Sequence, residues 1–336
     1  MLICKNINLK LYNTFGLVYI ARTMIHIMTE KEAKALFKGE LSWKRPLLIL
    51  GGGSNLLFTK NFRGTIVCPE FRRIKIEVQE GEYVMVSAGA GVKWDRFVEW
   101  CVGKGFSGLE NLSGIPGNVG AVPVQNIGAY GMEAKDSILK VRTISTIDGR
   151  VRVFKNEECH FGYRNSVFKT SRKGRYLVTR VYFRLALNHN PNLGYGSLKE
   201  EVSKLGKPTL KNIRTAVLKI RQTKLPDPEV IGNAGSFFKN PVVSKVSADR
   251  LMKSFPSIPA YEDPSGNKKL AAGWLTEQCG WKGKREGDAG VHENQALVLV
   301  NHGNATGKEI YELSEEIRKS VMKKFGIELE REVEVI

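Results

Sequence analysis

The sequence has no run approaching the roughly 18 consecutive apolar residues that a membrane-spanning helix requires, and its most apolar N-terminal stretch, FGLVYIARTMIHIM, is interrupted by Arg22. That stretch also has no small-residue cleavage site, so the expectation is a cytoplasmic protein without a leader or a membrane partner. Cysteine is sparse: Cys4, Cys68, Cys101, Cys159 and Cys279 are odd in number and form no CxxC pair, which speaks against a disulfide framework or structural zinc. Buried free thiols are expected instead. The five histidines (His26, His160, His189, His292, His302) make no HExxH spacing, so no protein-bound metal is expected. Internal repeats and low-complexity tracts are absent as well. The formal net charge of +18 favours anionic partners, yet the lysines and arginines are interspersed with acids and form no stripe with interleaved aromatics. No nucleic-acid partner is therefore expected, and a solvated basic surface is the simpler reading.

The 336 residues, 42% hydrophobic and 26% charged, suffice for a sizeable core in two or three domains. From residue 47 the chain reads strand, glycine turn, strand: PLLIL, GGGSN, LLF, GTIVC. EYVMVSAGAGV follows as a strand, and KWDRFVEWCVGKG as a helix with Trp94, Phe97, Val98, Cys101 and Val102 at helical spacing. Residues 138–155 predict a hairpin whose Asp148-Gly149 pair suits a type I′ turn, and 175–187 another strand. The polar stretch 188–212 reads as loop and junction. A helix over 213–224 stops before LPDPEV, where two prolines block it. A last helix opens with the capping box Thr306-x-x-Glu309 and ends at Gly326. The segment 327–336 alternates as a closing strand, with Glu328, Glu330, Glu332 and Glu334 on one face. Strands and helices are mixed without βαβ regularity, which makes the class α+β.

Four places carry candidate chemistry. GAGVKW (89–94) lies where a dinucleotide fingerprint would, but Trp94 replaces its third glycine, so a plain turn is expected. GGGSN (51–55) and GIPGNVGAVPVQNIGAYG (114–131) are two glycine-rich turns whose N–H groups could approach one phosphate-bearing ligand from two sides. Tyr163 and Arg164 sit in HFGYRNSVFK, and arginine binds carboxylates or phosphates through paired hydrogen bonds. Ser236, in GNAGSFFKNP, has no GxSxG context. It reads as a turn residue, or as a proton donor to a strongly basic centre such as a carbanion.

Taken in order, YNTFG (12–16), LGGGSNLLF (50–58), SGIPGNVGAVPVQNIGAYG (113–131), GYRNSVFK (162–169), KLPDPEVIGNAGSFFKNP (224–241), KLAAGWL (269–275) and NQALVLVN (294–301) resemble the UDP-N-acetylenolpyruvoylglucosamine reductase family. The resemblance spans nearly the whole chain. It implies an α+β flavoprotein with a two-subdomain FAD-binding fold of the vanillyl-alcohol-oxidase type over 1–187, split near residue 70. A tyrosine loop and junction over 188–212 and a smaller substrate domain over 213–336, with a final strand 327–336, would follow. It implies tightly but non-covalently bound FAD, contacted by Gly51, Gly52, Gly53, Ser54, Asn55, Leu56, Ile115, Pro116, Gly117, Gly120, Asn126 and Ala129. NADPH would be the reductant and UDP-N-acetylenolpyruvoylglucosamine the substrate. By matching positions, Ser236 would be the proton donor, Arg164 the group that polarises the substrate carboxylate, and Glu332 a stabiliser of the enol-like intermediate. Tyr163, Tyr195 in LGYGSL, Lys224, Asn240, Tyr261 and Gln295 would contact the substrate. Tyr195 would mark the subtype whose tyrosine loop closes over the substrate. One departure bears on Glu332: the family often has proline where this chain has Arg331, and a two-residue slip of the last strand would offer Glu330 instead.

Two other readings stand beside this one. Another FAD oxidoreductase of the same fold could act on a different alcohol or sugar, and a basic nucleic-acid-binding protein would be colourless and salt-sensitive. A monomer or weak oligomer is expected.

Overall fold

In a computed structural model, residues 1–263 and 265–336 are described. The chain forms two compact units, one of residues 1–7, 21–52 and 62–223, the other of residues 8–20, 53–61 and 224–336. Among the described residues no helix is long and apolar enough to cross a membrane.

Besides the two-stranded pair Gly128–Ala129 with Met132–Glu133, the first unit contains two larger sheets. In the smaller, the strands lie in the order Leu2–Asn8, Ile20–Ile27, Phe62–Pro69, Leu47–Ile49, and Phe62–Pro69 runs parallel to both its neighbours. In the larger, the order is Val151–Lys155, Ile138–Ser145, Tyr176–Ala186, Tyr83–Gly89, Ile74–Glu80, antiparallel throughout. Alternation decides which face is covered: Val84, Val86 and Ala88 are buried, as are Leu177, Val181, Phe183 and Leu185. The helix Trp94–Gly103 supplies the cover, burying Trp94, Phe97, Val98 and Cys101, with Phe97 and Phe183 ring centroids 4.9 Å apart. Each such fully buried side chain contributes about 2–3 kcal/mol of transfer free energy.

Two local expectations change here. Ile144 pairs with Val151 and the Ser145 N–H donates to the Arg150 carbonyl, so the hairpin connection is the four residues 146–149 rather than a two-residue type I′ turn. Type I′ needs positive φ at both central residues, whereas within this loop only Gly149 has it, at 70°. Residues 188–212 are not all loop either, because Leu198–Ser203 is helical. Its Leu198 and Val202, one helical turn apart, bury against Ile213, Ala216, Val217 and Ile220 of the helix Leu210–Lys224. Two apolar residues at that spacing are enough to dock a short helix, and the polar composition around them conceals it.

The second unit is built on the antiparallel sheet Gly232–Ser236, Val298–Asn301, Ala289–Val291, Arg285–Glu286. The helix Gly307–Phe325 buries Ile310, Leu313, Ile317 and Val321, and has both reciprocal bonds of the Thr306–Glu309 capping box and a left-handed Gly326 at its end. The closing segment departs from expectation. Ile327, Leu329 and Val333 alternate inward as the pattern requires, but only Glu334–Val335 forms a strand, parallel to Leu56–Leu57, and Arg331 makes a single bridge to Phe238. An extended chain keeps its period of two whether or not a neighbour completes the ladder.

A latch in the first unit ties helix to sheet. Glu30, in the first turn of Glu30–Phe37, accepts bonds of 2.7 and 2.9 Å from Arg142 and 2.8 Å from Thr179. The Arg142 bond holds the Glu30 carboxyl below its ordinary value of 4.5, against a smaller opposing effect of burial and with help from Thr179. Because the folded-state pKa is depressed, the latch contributes fully above the unfolded pKa and is lost as pH falls through the folded one. Glu30→Gln should therefore cost about 1–2 kcal/mol at pH 7. In urea titrations the gap from the parent should narrow below about pH 4.5.

Candidate active site

The GNAGS segment carries Ser236 through constraints specific to each residue. A Cβ on Gly232 would lie 2.3 Å from the Phe15 carbonyl oxygen, so only glycine admits that backbone contact. Gly235 has φ of +68°, in the left-handed region, and the pairing with Val298–Asn301 is irregular between Asn233 and Ser236. Asn233, buried, holds this bulge: its Oδ1 accepts from the Gly235 N–H at 2.9 Å, while its Nδ2 donates to the carbonyls of Ile231 (2.9 Å) and Pro226 (3.2 Å). Beyond the half-buried Ser236, Phe237 and Phe238 are buried and anchor the chain.

The closing segment lies against that anchor. The Glu332 N–H donates to the Phe237 carbonyl at 2.9 Å, and the Lys239 N–H to the Glu330 carbonyl at 2.9 Å. Asn55 Nδ2 donates to the Glu332 carbonyl at 3.1 Å, and the Glu334 N–H to the Asn55 carbonyl at 3.1 Å. Glu332 thus has its backbone fixed on two sides, next to Ser236 in the pairing. Glu330 is exposed and bonded to Lys239 Nζ at 2.5 Å. Within the second unit the backbone of Glu332 therefore meets Phe237, the residue after Ser236, and Asn55, while Leu56 lies in the strand paired with Glu334–Val335.

Three of the residues expected at the substrate lie elsewhere in this unit, two of them in loops. Asn240 Oδ1 accepts from the Ala272 N–H at 3.0 Å, and Gln295 Oε1 lies 3.1 Å from where a Cβ on Gly273 would be. Both therefore meet the start of the helix Ala272–Gln278. Tyr261 is on the strand Ala260–Glu262, 44% exposed. Lys224 ends the helix Leu210–Lys224.

In the first unit the two glycine turns abut. A Cβ on Gly52 would lie 2.7 Å from Gly117 Cα, and one on Gly120 2.6 Å from Ala90 Cβ; Gly51 would meet only an ordinary 3.5 Å contact with Ala121. The second turn is sewn to GAGVKW through the N–H groups of Trp94, Val119 and Gly120, which donate to the carbonyls of Gly117, Val92 and Ala90. Glycines 89 and 91 of GAGVKW pack against residues 69–71, so they serve packing. Between the turns, the buried Asn118 Oδ1 has no hydrogen-bond partner among the described residues. It lies 3.5 Å from the Gly52 Cβ position. A buried acceptor left without a donor costs free energy that an N–H or O–H of a bound ligand would offset. Ile115 and Pro116 begin this turn. Gly53, Ser54 and Asn55 of the first turn already belong to the second unit.

Further along, Asn126 is fully buried and left-handed (φ 46°), and its amide is used within the protein: Nδ2 donates to Glu133 and to the Gly162 carbonyl, and Oδ1 accepts from the Lys135 N–H. A ligand contact at Asn126 would fall to its backbone. Ala129 is in the two-residue strand beside it. The 162–165 turn held by this amide carries Tyr163 and Arg164. Arg164 also has positive φ (50°), donates to the Gly128 carbonyl at 2.5 Å, and lies 5.3 Å from the Tyr163 ring centroid. Tyr195 meets Tyr130 edge-on at 6.2 Å. Its loop is held by Asn111 Nδ2, which donates to both the Asn192 and Tyr130 carbonyls at 2.8 Å.

Sequence reasoning did not single out Asn233, Asn118 or Asn111, although each stands inside or beside a quoted motif. It also missed Asp95, which accepts the Gly114 N–H at 2.6 Å and both Arg214 nitrogens at 2.6 and 2.7 Å. Burial pushes the Asp95 carboxyl up, but Arg214 and the Gly114 N–H more than offset it and hold it low. A pairing 119 residues apart leaves no local signal.

These contacts separate neighbouring glycines. Gly51→Ala should leave thermal stability near the parent, whereas Gly52→Ala, which drives a Cβ into backbone, should destabilise by about 2 kcal/mol or more. Gly235→Ala, with open space around it but left-handed φ, should cost about 1–2 kcal/mol. Urea unfolding of the three variants checks the order.

Comparison with known proteins agrees with this architecture. A family model for the UDP-N-acetylenolpyruvoylglucosamine reductase C-terminal domain matches residues 227–336, and one for an FAD binding domain matches residues 25–155. The UDP-N-acetylenolpyruvoylglucosamine reductase of Flavobacterium johnsoniae is 46% identical over 100% of both chains, and that of Chromobacterium violaceum 47% identical over 97% of both. The crystal structure of the Thermus caldophilus reductase (MurB) superposes with a TM-score of 0.68 at 27% identity, covering 98% of this chain and 97% of that one. With its α+β architecture, paired glycine turns and full-length relatives, the chain belongs to the UDP-N-acetylenolpyruvoylglucosamine reductase family.

Proposed function

We propose that this chain is an FAD-dependent oxidoreductase that reduces the enolpyruvyl ether of UDP-N-acetylenolpyruvoylglucosamine to the lactyl ether of UDP-N-acetylmuramate, a peptidoglycan precursor, with NADPH as reductant. Its setting is the cytoplasm, where both nucleotide reagents are found. The observation that supports the reading is that the bulge carrying Ser236 runs directly into Phe237, whose carbonyl accepts from the Glu332 N–H.

FAD fits the paired turns, because Gly51, Gly52, Gly117 and Gly120 leave the backbone uncovered and Asn118 Oδ1 awaits a donor. Gly53, Ser54, Asn55, Leu56, Ile115, Pro116, Ala129 and the backbone of Asn126 complete the set that would hold it. When bound, FAD would supply an electron pair together with one hydrogen to the methylene carbon of the double bond, the second hydrogen coming as a proton from the protein. The chain's own residues manage the charge and the proton. Negative charge develops on the carbon next to the substrate carboxylate, and Arg164 stabilises it by binding that carboxylate. Such preorganised donors are commonly worth about 3 kcal/mol each. Ser236 gives its hydroxyl proton to that carbon, a transfer that is efficient from a weak acid only because the acceptor is strongly basic. Glu332 assists as a hydrogen-bonding acid, since an ionised carboxylate there would repel the developing charge. Tyr163, Tyr195, Lys224, Asn240, Tyr261 and Gln295 bind the rest of the substrate, Tyr195 from a loop that closes over it.

The two half-reactions separate these roles. In stopped-flow absorbance, Ser236→Ala should leave flavin reduction by NADPH unchanged and slow reoxidation by UDP-N-acetylenolpyruvoylglucosamine by about 10²–10⁴-fold. A parallel loss of both half-reactions would make Ser236 a structural residue. Arg164→Lys should raise KM and lower kcat together, because a point charge cannot reproduce the planar pair of hydrogen bonds.

A further inference from the structure

The apolar side of the closing segment contains one charged residue. Ile327, Leu329 and Val333 alternate into the core, and Arg331 takes the position between Leu329 and Val333 with a side chain only 17% exposed. Polar and aromatic groups of the helix Gly307–Phe325 meet it. Arg331 Nε donates to Ser314 Oγ at 3.0 Å, and that fully buried hydroxyl in turn donates to the Tyr311 carbonyl at 2.6 Å. The guanidinium forms an ion pair with Glu315 and lies 4.5 Å from the Tyr311 ring centroid. Glu315 also accepts from Arg318 Nη1 at 2.8 Å, while Arg318 Nε donates to the Leu329 carbonyl at 2.9 Å and its Nη2 to Glu328 at 2.8 Å. The helix Gly307–Phe325 therefore grips residues 328–331 at several points in one register.

We infer that Arg331 is a positioning residue that sets the register of the closing segment, so that Glu332 rather than Glu330 stands opposite Phe237, next to Ser236. The inference rests on the proposed role of Glu332. A two-residue slip that brought Glu330 to the place of Glu332 would move Arg331 to the place of Val333, which is 3% exposed. It would bury a guanidinium away from Ser314, Glu315 and Tyr311 and leave Leu329 facing those polar groups. Removing one partner from a buried ion pair is strongly unfavourable, so the slipped register is closed to the parent chain. The bridge itself supplies no such discrimination: two backbone bonds would form equally well in either register. The Phe238–Arg331 pair is of the non-hydrogen-bonded kind, flanked by the 239-to-330 and 332-to-237 bonds, so the Arg331 N–H faces away from it. Proline is compatible with the same position on that account.

The test uses the flavin-loaded enzyme and two readouts. In Arg331→Met, amide hydrogen exchange of a peptide covering 327–336 should quicken by about tenfold or more, with the helix 307–325 unchanged. Reoxidation by the enolpyruvyl substrate should slow by about ten- to a hundredfold, as expected for a displaced catalytic group, while flavin reduction by NADPH stays at the parental rate. In the parent, Glu330→Gln should leave reoxidation unchanged; in the Arg331→Met background it should slow it further, as the slipped register places Glu330 at the site. Ser314→Ala, a milder change, should shift both readouts the same way to a smaller extent, and Arg331→Lys should restore part of each. Parental exchange in both Arg331→Met and Ser314→Ala would overturn the inference. Parental reoxidation in Glu332→Gln would instead overturn the role of Glu332, whatever the exchange data show.

Discussion

Two backbone hydrogen bonds, from Glu332 to Phe237 and from Lys239 to Glu330, hold together the two parts of the chain on which the proposed proton transfer depends. Neither is strong in isolation, since an exposed amide would bond to water almost as well. Their value lies in what they align. A serine at a bulge and an acidic residue on a chain more than ninety residues later must be placed to within a fraction of an ångström, and a two-point bridge needs further restraint to do that. The aromatic pair Phe237 and Phe238 restrains one side, with both rings buried. Asn55, the helix anchor at Arg331 and the parallel pairing of Glu334–Val335 with Leu56–Leu57 restrain the other.

Much of this architecture was legible in the sequence. The strand in EYVMVSAGAGV, the helix begun at Trp94 and the capping box at Thr306 each follow from local composition, one local period or one short-range bond, and each appears in the fold. The closing segment was half legible: its inward residues obey a period of two, but strand identity depends on a partner, and the sequence does not state where a partner ends. The hairpin tip was misread because Asp-Gly is favoured in more than one loop type and the register, fixed by Ile144 and Val151, selected a four-residue loop. Contacts such as Asp95 with Arg214 were invisible, since neither residue has a neighbour that announces the other.

The site motifs divide in a comparable way. Gly52, Gly232 and Gly235 were visible as glycines, but their reasons differ: contact with Gly117, contact with Phe15, and a left-handed backbone. Composition alone cannot separate these. What links them is the company of carboxamides. Asn13, Asn111, Asn126, Asn233 and Asn301 are all buried, and each bonds to main-chain groups of the loops around it. They do for irregular backbone what ladder bonds do for sheets.

That reliance on carboxamides sets how the protein would age. Asparagine is among the thermolabile side chains, and its conversion to aspartate preserves shape while replacing a two-hydrogen donor with a charged acceptor. At Asn126 the new carboxylate would face Glu133 and the Gly162 carbonyl, which now receive its hydrogens. The turn that holds Arg164 would then be pushed apart by repulsion without the loss of a single heavy-atom position. Slow chemical damage at this residue would disable the enzyme while leaving its outline, mass to within one unit, and most of its core intact.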